Sequence, residues 1–560
     1  MSSSSLNDCG PFVGALDQGT TSTRFMVFSA KTGEAIKEAT HQIPFSPSQP
    51  NPGWSQVDPT KLLQTSLDCI ENSMRKCQEL GIDTSQIKAI GITNQRETTV
   101  VWDKTTGKPL HDAIVWLDMR TTDTVDSLIK ATALKTKDAL QLICGLPINP
   151  YFSAVKLRWL LDNSDVVRSA VAKGNCMFGT VDSWLIWNLT GGIDGGEHVT
   201  DVTNASRTML MSIKSHQWDK SLMKFFDIPG GVLFPKIKSS SEVYGHIATG
   251  PLEGVPIAGC LGDQSAALYG HTFAKTPKKG DAKNTYGTGC FLLYNTGSTP
   301  VFSQHGLLTT VAFQLGPNAP IQYALEGSVA IGGDAVRWLR DNLQIIRESS
   351  DVEELASQVT DTGDVYFVPA FSGLFAPYWQ PDARGVLVGL TQYTNRCHIA
   401  RATLEAVCFQ TREILEAMNK DSKIPLTELL VDGGMTKNSL LLQLQADLLG
   451  IPIVRAPMSE TTALGVAMAA ARAVGLNPDA ATCERQGDTF NPRVQVEVRD
   501  RRYSRWKMAV RRSMNWVDKS NGETKVDKLK EGRYHKTAFV ALFLCSSAAA
   551  LLLVAIMKRR

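Results

Sequence analysis

Two short polar stretches carry side chains suited to moving a charged group. The first is Asp17-Gln18-Gly19-Thr20-Thr21-Ser22-Thr23-Arg24, set between the apolar runs Phe12–Leu16 and Phe25–Phe28. It reads as a strand, a tight polar turn and a returning strand, with a carboxylate at the mouth. Gly19 lets backbone amides approach a ligand, and Thr20, Thr21 and Ser22 offer hydrogen bonds to phosphate oxygens. Asp17 suits a hard cation such as Mg²⁺, usually held through water. The chain has no GxxxxGKS or GxxxxGKT loop, so this turn is its best candidate for nucleotide phosphates. Taken alone, an Asp-x-Gly-Thr turn also closes ordinary hairpins. The second stretch, Asn94-Gln95-Arg96-Glu97-Thr98, follows the apolar run Ile87–Thr93, and strand ends are where α/β folds gather ligands. Arg96 can donate to one hydroxyl of a polyol while Glu97 accepts from another. The same two residues also read as a surface ion pair.

Gly262-Asp263-Gln264 repeats the pairing of acid and amide at another strand end. A buried Asp facing a substrate hydroxyl is the expected general base for phosphoryl transfer. Trp116 offers an apolar wall for a carbon chain, or simple core packing. Two more glycine turns follow apolar strands: Gly287-Thr288-Gly289, and Gly433-Gly434 after Leu429–Asp432. Either one reads equally well as a tight turn. Together with the Asp17 turn they match the two-domain ATPase plan of actin, hexokinases and the sugar kinases, in which ATP lies in the cleft between like domains.

The elements that position these residues alternate between strand-like and helix-like runs, which argues for α/β architecture. Ile87–Thr93 and Thr99–Trp102 read as strands. Pro59–Leu80 reads as a helix with Leu62, Leu63, Leu67, Ile70 and Met74 on one face, and Val155–Leu161 as another. The lysine-rich segment Thr272–Lys283 reads as a crossover between domains. The following strand-turn-strand, Asn284–Tyr294, echoes the opening hairpin as a degenerate repeat at domain scale. Arg501–Trp516 reads as a basic final helix, with a polar linker over 517–536.

A chain of 560 residues, 43% hydrophobic, divides into two or more domains. With 58 basic and 55 acidic residues its net charge is +3, so no global field points to nucleic acid. Eleven cysteines without a CxxC pair suit reduced thiols in the cytosol. The N-terminus has no basic region and apolar core of a signal peptide, so the Asn188 and Asn204 sequons read as chance. The C-terminus differs. Thr537–Met557 is an uncharged run of 21 residues, flanked by His535-Lys536 and Lys558-Arg559-Arg560. As a helix it would be about 31 Å long, the thickness of a hydrocarbon core. Its strongly apolar residues favour insertion by about 3–6 kcal/mol, partly offset by Ser546 and Ser547. A tail anchor is expected, leaving the N-terminal bulk facing the cytosol. The basic tip resembles tail anchors of the mitochondrial outer membrane, with the endoplasmic reticulum or a cytoplasmic location as alternatives.

The chain resembles the FGGY family of carbohydrate kinases over residues 11–515. Tyr151–Asn163 matches one family signature. Gly385-Val-Leu-Val-Gly389-Leu390 with His398-Ile399 and Ala402-Thr-Leu-Glu405 matches the other. Asn94–Thr98, Lys283–Phe291 and Val431–Met435 resemble the glycerol branch rather than the pentose branch. The resemblance implies an α/β fold of two ribonuclease-H-like domains with a cleft between them, residues 11–271 and 272–516; the apolar C-terminal run adds a transmembrane helix at 537–557. It implies ATP-dependent phosphorylation of glycerol with Mg²⁺; a homo-oligomer, dimer or tetramer, is expected. Asp263, Arg96 and Asp17 are the expected catalytic set, Asp263 as base and Asp17 at the metal. Arg96, Glu97, Tyr151, Asp263 and Gln264 would bind glycerol hydroxyls, with Trp116 and Phe291 on its carbons. Thr20, Thr21, Ser22 and Arg24 would bind phosphates, and Thr288, Gly333, Gly434 and Asn438 the rest of the nucleotide. Arg337 stands where bacterial members carry Gln near the nucleotide, and a surface salt bridge is its other reading. The loop Ala248–Val255 lacks the Gly-rich, Arg-ending segment with which bacterial members bind fructose 1,6-bisphosphate, so that feedback is not expected. Two rivals are another small polyol or ketose as substrate, and a silent scaffold that keeps the fold.

Overall fold

Apolar runs such as Phe12–Leu16 and Ala89–Ile92 are buried on both faces, as central strands of a sheet covered on two sides must be. The computed structural model describes residues 9–273, 277–476 and 487–517. The first sheet is built from β1 (Phe12–Gln18), β2 (Ser22–Ser29), β3 (His41–Pro44), β4 (Ile87–Asn94), β5 (Ser241–His246) and β6 (Pro256–Gly262). Their spatial order is β5–β6–β4–β1–β2–β3. β1 pairs antiparallel with β2, and it runs parallel to β4, which in turn is parallel to β6. The second sheet holds β7 (Ala282–Tyr286), β8 (Cys290–Gly297), β9 (Leu308–Phe313), β10 (Gln322–Val329), β11 (Leu429–Asp432), β12 (Ile453–Arg455) and β13 (Asp488–Phe490). Its order is β9–β10–β8–β7–β11–β12–β13. Here too a hairpin, β7–β8, lies beside a parallel pair, β7–β11. The echo between the two hairpins is therefore a repeat of sheet plan.

Helices cover these sheets. α1 (Pro59–Glu79) starts where Asp58 accepts from Thr60 N (2.8 Å), with Pro59 fitting the first turn. Its buried face is Leu62, Cys69, Ile70, Met74 and Cys77, while Leu67 is exposed. Leu67 was expected on that face, but five residues from Leu62 it lies about 140° around the helix. α2 (Ser153–Asn163) carries the Tyr151 signature segment, and α3 (Asp263–Thr272) leaves the end of β6. α4 (Gly333–Asp341), α5 (Arg396–Ser422) and α6 (Ser439–Leu449) serve the second sheet.

α7 (Thr461–Ala473) departs from the sequence order. It follows β12 in the chain, yet it packs across β1, β4 and β6 of the first sheet and against α3. The crossing is close because glycines line it. A Cβ at Gly465 would collide with the Ala266 carbonyl, one at Gly270 with the Thr461 carbonyl, and one at Gly91 with the Val466 carbonyl. The core there takes Val13, Ala15 and Leu261 from the first sheet, Val466 and Met468 from α7, and Leu293 and Phe313 from the second. The boundary expected between 271 and 272 falls in the last turn of α3, and the packing returns α7 to the first half.

The final helix, α8, spans Val496–Ser513 rather than Arg501–Trp516. Glu497 in its first turn favours the earlier start. The chain turns extended at Met514, after which Trp516 N and Val517 N donate to the Asp382 carbonyl. The span expected at 537–557, and the linker beyond Val517, lie outside the described residues. Among the described residues no helix is long and apolar enough to cross a membrane.

Candidate active site

The β1–β2 hairpin sets Asp17 opposite Arg24, and Gly19 N donates to the Ser22 carbonyl (2.9 Å) to close the turn. Arg24 Nε lies 3.6 Å from Asp17 Oδ2 and is buried without a hydrogen bond; its Nη1 meets Glu460, just before α7. Burial lifts the Asp17 carboxyl to about 6; Arg24 opposes this and the nearby Asp263 charge adds to it. A carboxylate crowded by another and only loosely paired fits a divalent cation, and the bare Nε of Arg24 fits a phosphate oxygen. Thr20 Oγ1 accepts from Trp116 Nε1 (2.9 Å), which leaves its own proton to donate.

β4 delivers Arg96 and Glu97 to the same end of the sheet. Glu97 sits in the left-handed region at φ 60°, and Thr98 N donates to the Arg96 carbonyl (2.7 Å). Such backbone strain costs about 1–3 kcal/mol and collects at binding sites. Arg96 and Glu97 do not pair with each other. Arg96 makes a two-pronged contact with Glu326, Nη1 to Oε2 at 2.6 Å and Nη2 to Oε1 at 2.9 Å. Its Nε lies 3.2 Å from Asp263 Oδ1. Glu97 Oε1 accepts from Arg207 Nε (2.5 Å), and Arg207 Nη2 reaches Glu326 Oε1 (3.1 Å). All four side chains are buried, so the surface-pair reading fails. Burial pushes Glu97 up, against Arg207 and Arg96. For Glu326 the two guanidiniums outweigh burial and hold it at about 2.

Asp263 opens α3, and Gln264 N donates to its Oδ1 (2.7 Å). With Oδ1 shared between that amide and Arg96, Oδ2 is the oxygen left to accept a proton. The side chain keeps 29% of its surface exposed. Gly262 admits Arg96 here, since a Cβ would stand 2.6 Å from the Arg96 side chain. Gln264 Oε1 accepts from Lys283 Nζ, which leaves the Gln264 amide N–H groups to face a ligand. Three aromatic rings cluster nearby, with Trp116 N donating to Thr98 Oγ1 beside Glu97. Trp116 meets Tyr151 at 5.4 Å and Phe291 at 5.8 Å between centroids, both edge-on. Lys156, fully buried, donates to the Pro150 and Tyr151 carbonyls and so fixes the Tyr151 backbone.

Across the cleft, Gly287-Thr288-Gly289 is locked to the start of α4: Gly333 N donates to the Gly287 carbonyl (2.8 Å) and Gly332 N to the Thr288 carbonyl (2.9 Å). Gly434 has open space where a side chain would be. Asn438 caps α6, its side chain accepting from Leu441 N (2.8 Å), so only its amide nitrogen is available to a ligand. Arg337 is half-exposed and paired with Asp334 on α4, the alternative reading of that residue. Asp432, at the end of β11, accepts from Thr461 Oγ1 (2.7 Å) and meets His271 Nε2 (2.7 Å), tying both crossing helices to the second sheet.

Sequence reasoning missed Arg207 and Glu326. The signals were there: a single carboxylate inside the apolar strand Tyr323-Ala-Leu-Glu326-Gly, and an arginine after the small-residue stretch Thr203-Asn-Ala-Ser206. Asn204 is fully buried and exchanges hydrogen bonds with Asn94 (3.0 Å each way), which leaves no room for a glycan.

Models of the FGGY family of carbohydrate kinases match the chain at residues 12–270 (N-terminal domain) and 282–474 (C-terminal domain). A probable glycerol kinase of Dictyostelium discoideum is 50% identical over 548 residues, with 91% of this chain and all of that protein covered. A glycerol kinase of Arabidopsis thaliana is 50% identical over 524 residues, covering 91% and 99%. Among solved structures, Plasmodium falciparum glycerol kinase with ADP superposes with a TM-score of 0.79 at 36% identity, covering 90% and 98%. A xylulose kinase from Lactobacillus acidophilus reaches 0.74 at 21% identity, covering 90% and 96%, and shares the fold.

Proposed function

The chain belongs to the FGGY family of carbohydrate kinases, and from that premise we propose how its residues carry out the phosphorylation of glycerol by ATP. The enzyme is a glycerol kinase that uses ATP with Mg²⁺ and makes sn-glycerol 3-phosphate. One observation carries the assignment of roles. Asp263 meets Arg96, Glu97 follows Arg96 on the chain, and this group lies near the Trp116–Tyr151–Phe291 rings and the hairpin turn that bears Asp17. The rings take the carbon chain. Arg96, Glu97, Tyr151 and Gln264 hold the hydroxyls and turn one of them to Asp263. Asp263 removes its proton as the oxygen bonds to the γ-phosphorus and the bond to the ADP oxygen breaks. Thr20, Thr21, Ser22 and Arg24 bind the phosphates, and Thr288, Gly333, Gly434 and the Asn438 amide bind the rest of the nucleotide. Asp17 would hold Mg²⁺, which when bound neutralises phosphate charge. Such a reaction needs positioning and charge balance more than covalent help, and two domains facing one cleft supply both.

Asp263→Asn is the direct test. Turnover in a coupled ADP assay should fall by about 10³-fold or more, with glycerol still bound in calorimetry. Retained turnover removes Asp263 as the base. For location, we propose a tail anchor at 537–557 in the outer mitochondrial membrane facing the cytosol, supported by its uncharged length and basic flanks. The assembly we propose, from the family resemblance, is a homo-oligomer, which sedimentation velocity of the purified protein would separate from a monomer.

A further inference from the structure

We propose that Arg207 and Glu326 are positioning residues that hold the glycerol clamp in shape across the two sheets. Arg207 touches three parts of that clamp. Its Nε donates to Glu97 (2.5 Å), its guanidinium lies 5.6 Å from the centre of the Tyr151 ring, and its Nη2 shares Glu326 with Arg96 (3.1 Å). Glu326 reaches from β10 in the second sheet to grip Arg96 at the end of β4 in the first. The strand it sits on pairs with β8, where Leu293 is its partner and Phe291 lies two residues away on the wall of the pocket. Arg96, Glu97, Arg207 and Glu326 form two cations and two anions closed to solvent that could take over a lost partner, with the part-exposed Asp263 at their rim (3.2 Å from Arg96 Nε). The second sheet therefore sets which way Arg96 points, and Arg207 sets Glu97 and Tyr151.

This rests on glycerol occupying the Arg96–Glu97 pocket, so two substitutions are read together. Arg96→Gln tests the placement: an unchanged glycerol dissociation constant there removes glycerol from the pocket. Glu326→Gln tests the positioning. Its KM for glycerol should rise tenfold or more while its KM for ATP stays within twofold. A glycerol constant within twofold of wild type, or an equal rise for both substrates, overturns the proposal. If Glu326→Gln does not fold, the double variant Glu326→Gln with Arg207→Met restores charge balance at similar volume. Stability should then return without glycerol affinity. Recovery of wild-type glycerol KM in that folded double variant would make the pair structural only and would equally overturn it.

Discussion

Trp116 bridges the Asp17 hairpin turn and the aromatic cluster. Its indole N–H donates to Thr20 on the β1–β2 turn, while its ring edge-packs against Tyr151 and Phe291. A neutral hydrogen bond is worth about 0.5–1.5 kcal/mol, or roughly 2–10-fold. Trp116→Phe should therefore raise KM for ATP by about that factor, with a smaller change for glycerol. Trp116→Ala should raise KM for glycerol as well, because the wall itself is lost; initial rates over both substrate concentrations separate the two effects. Arg96, Glu97 and Asp263 were legible in the sequence because each sits in a short polar motif at a strand end. Arg207 and Glu326 were not, since their meaning lies in partners 110 and 230 residues away in sequence. Nor does the chain announce the left-handed backbone of Glu97, a residue type that carries no preference for it.

At the level of elements, the α3–α7 crossing depends on two glycines with no room for a side chain. Gly465→Val should lower stability by about 3 kcal/mol or more, since overpacking there pushes on backbone rather than on a movable side chain. Gly230→Ala, at a position with nothing nearby, is the control and should leave the thermal midpoint in place. A second prediction concerns α5. Burial lifts Glu413 to about 7, against the hydrogen bond from Tyr378 Oη (2.5 Å). A carboxyl raised in the folded state binds its proton more tightly there than in the unfolded chain. The stability it lends is present below the ordinary glutamate range and is lost as pH rises toward 7. Glu413→Gln should thus gain stability relative to wild type between pH 5 and 8, by up to about 3 kcal/mol. Denaturant melts at both pH values check this, and a pH-independent difference would rule it out. Helix existence was legible from spacing; the orientation of Leu67 was not, because apolar residues outnumber the places that bury them.

For the whole molecule, the two hairpins at Asp17 and Gly287 announced like domains, and the sheets share their central order. The path of α7 back to the first sheet was illegible, because a helix rich in alanine with one glycine fits any close-packed seat equally well. Deleting 537–560 should release an active enzyme to the supernatant of a high-speed spin, while the full chain pellets with membranes. A truncated protein that stays in the pellet would remove the anchor. The return of α7 also bears on how the chain is made. The strands that α7 covers are complete by Gly262, but their seal is at residues 461–473 and emerges from the ribosome only after most of the second sheet. During that interval Gly91, Gly259 and their apolar neighbours lack the helix that covers them in the folded chain. Synthesis thus creates a stage at which the first half is formed but unsealed, and there a chaperone that shields apolar grooves has most to do.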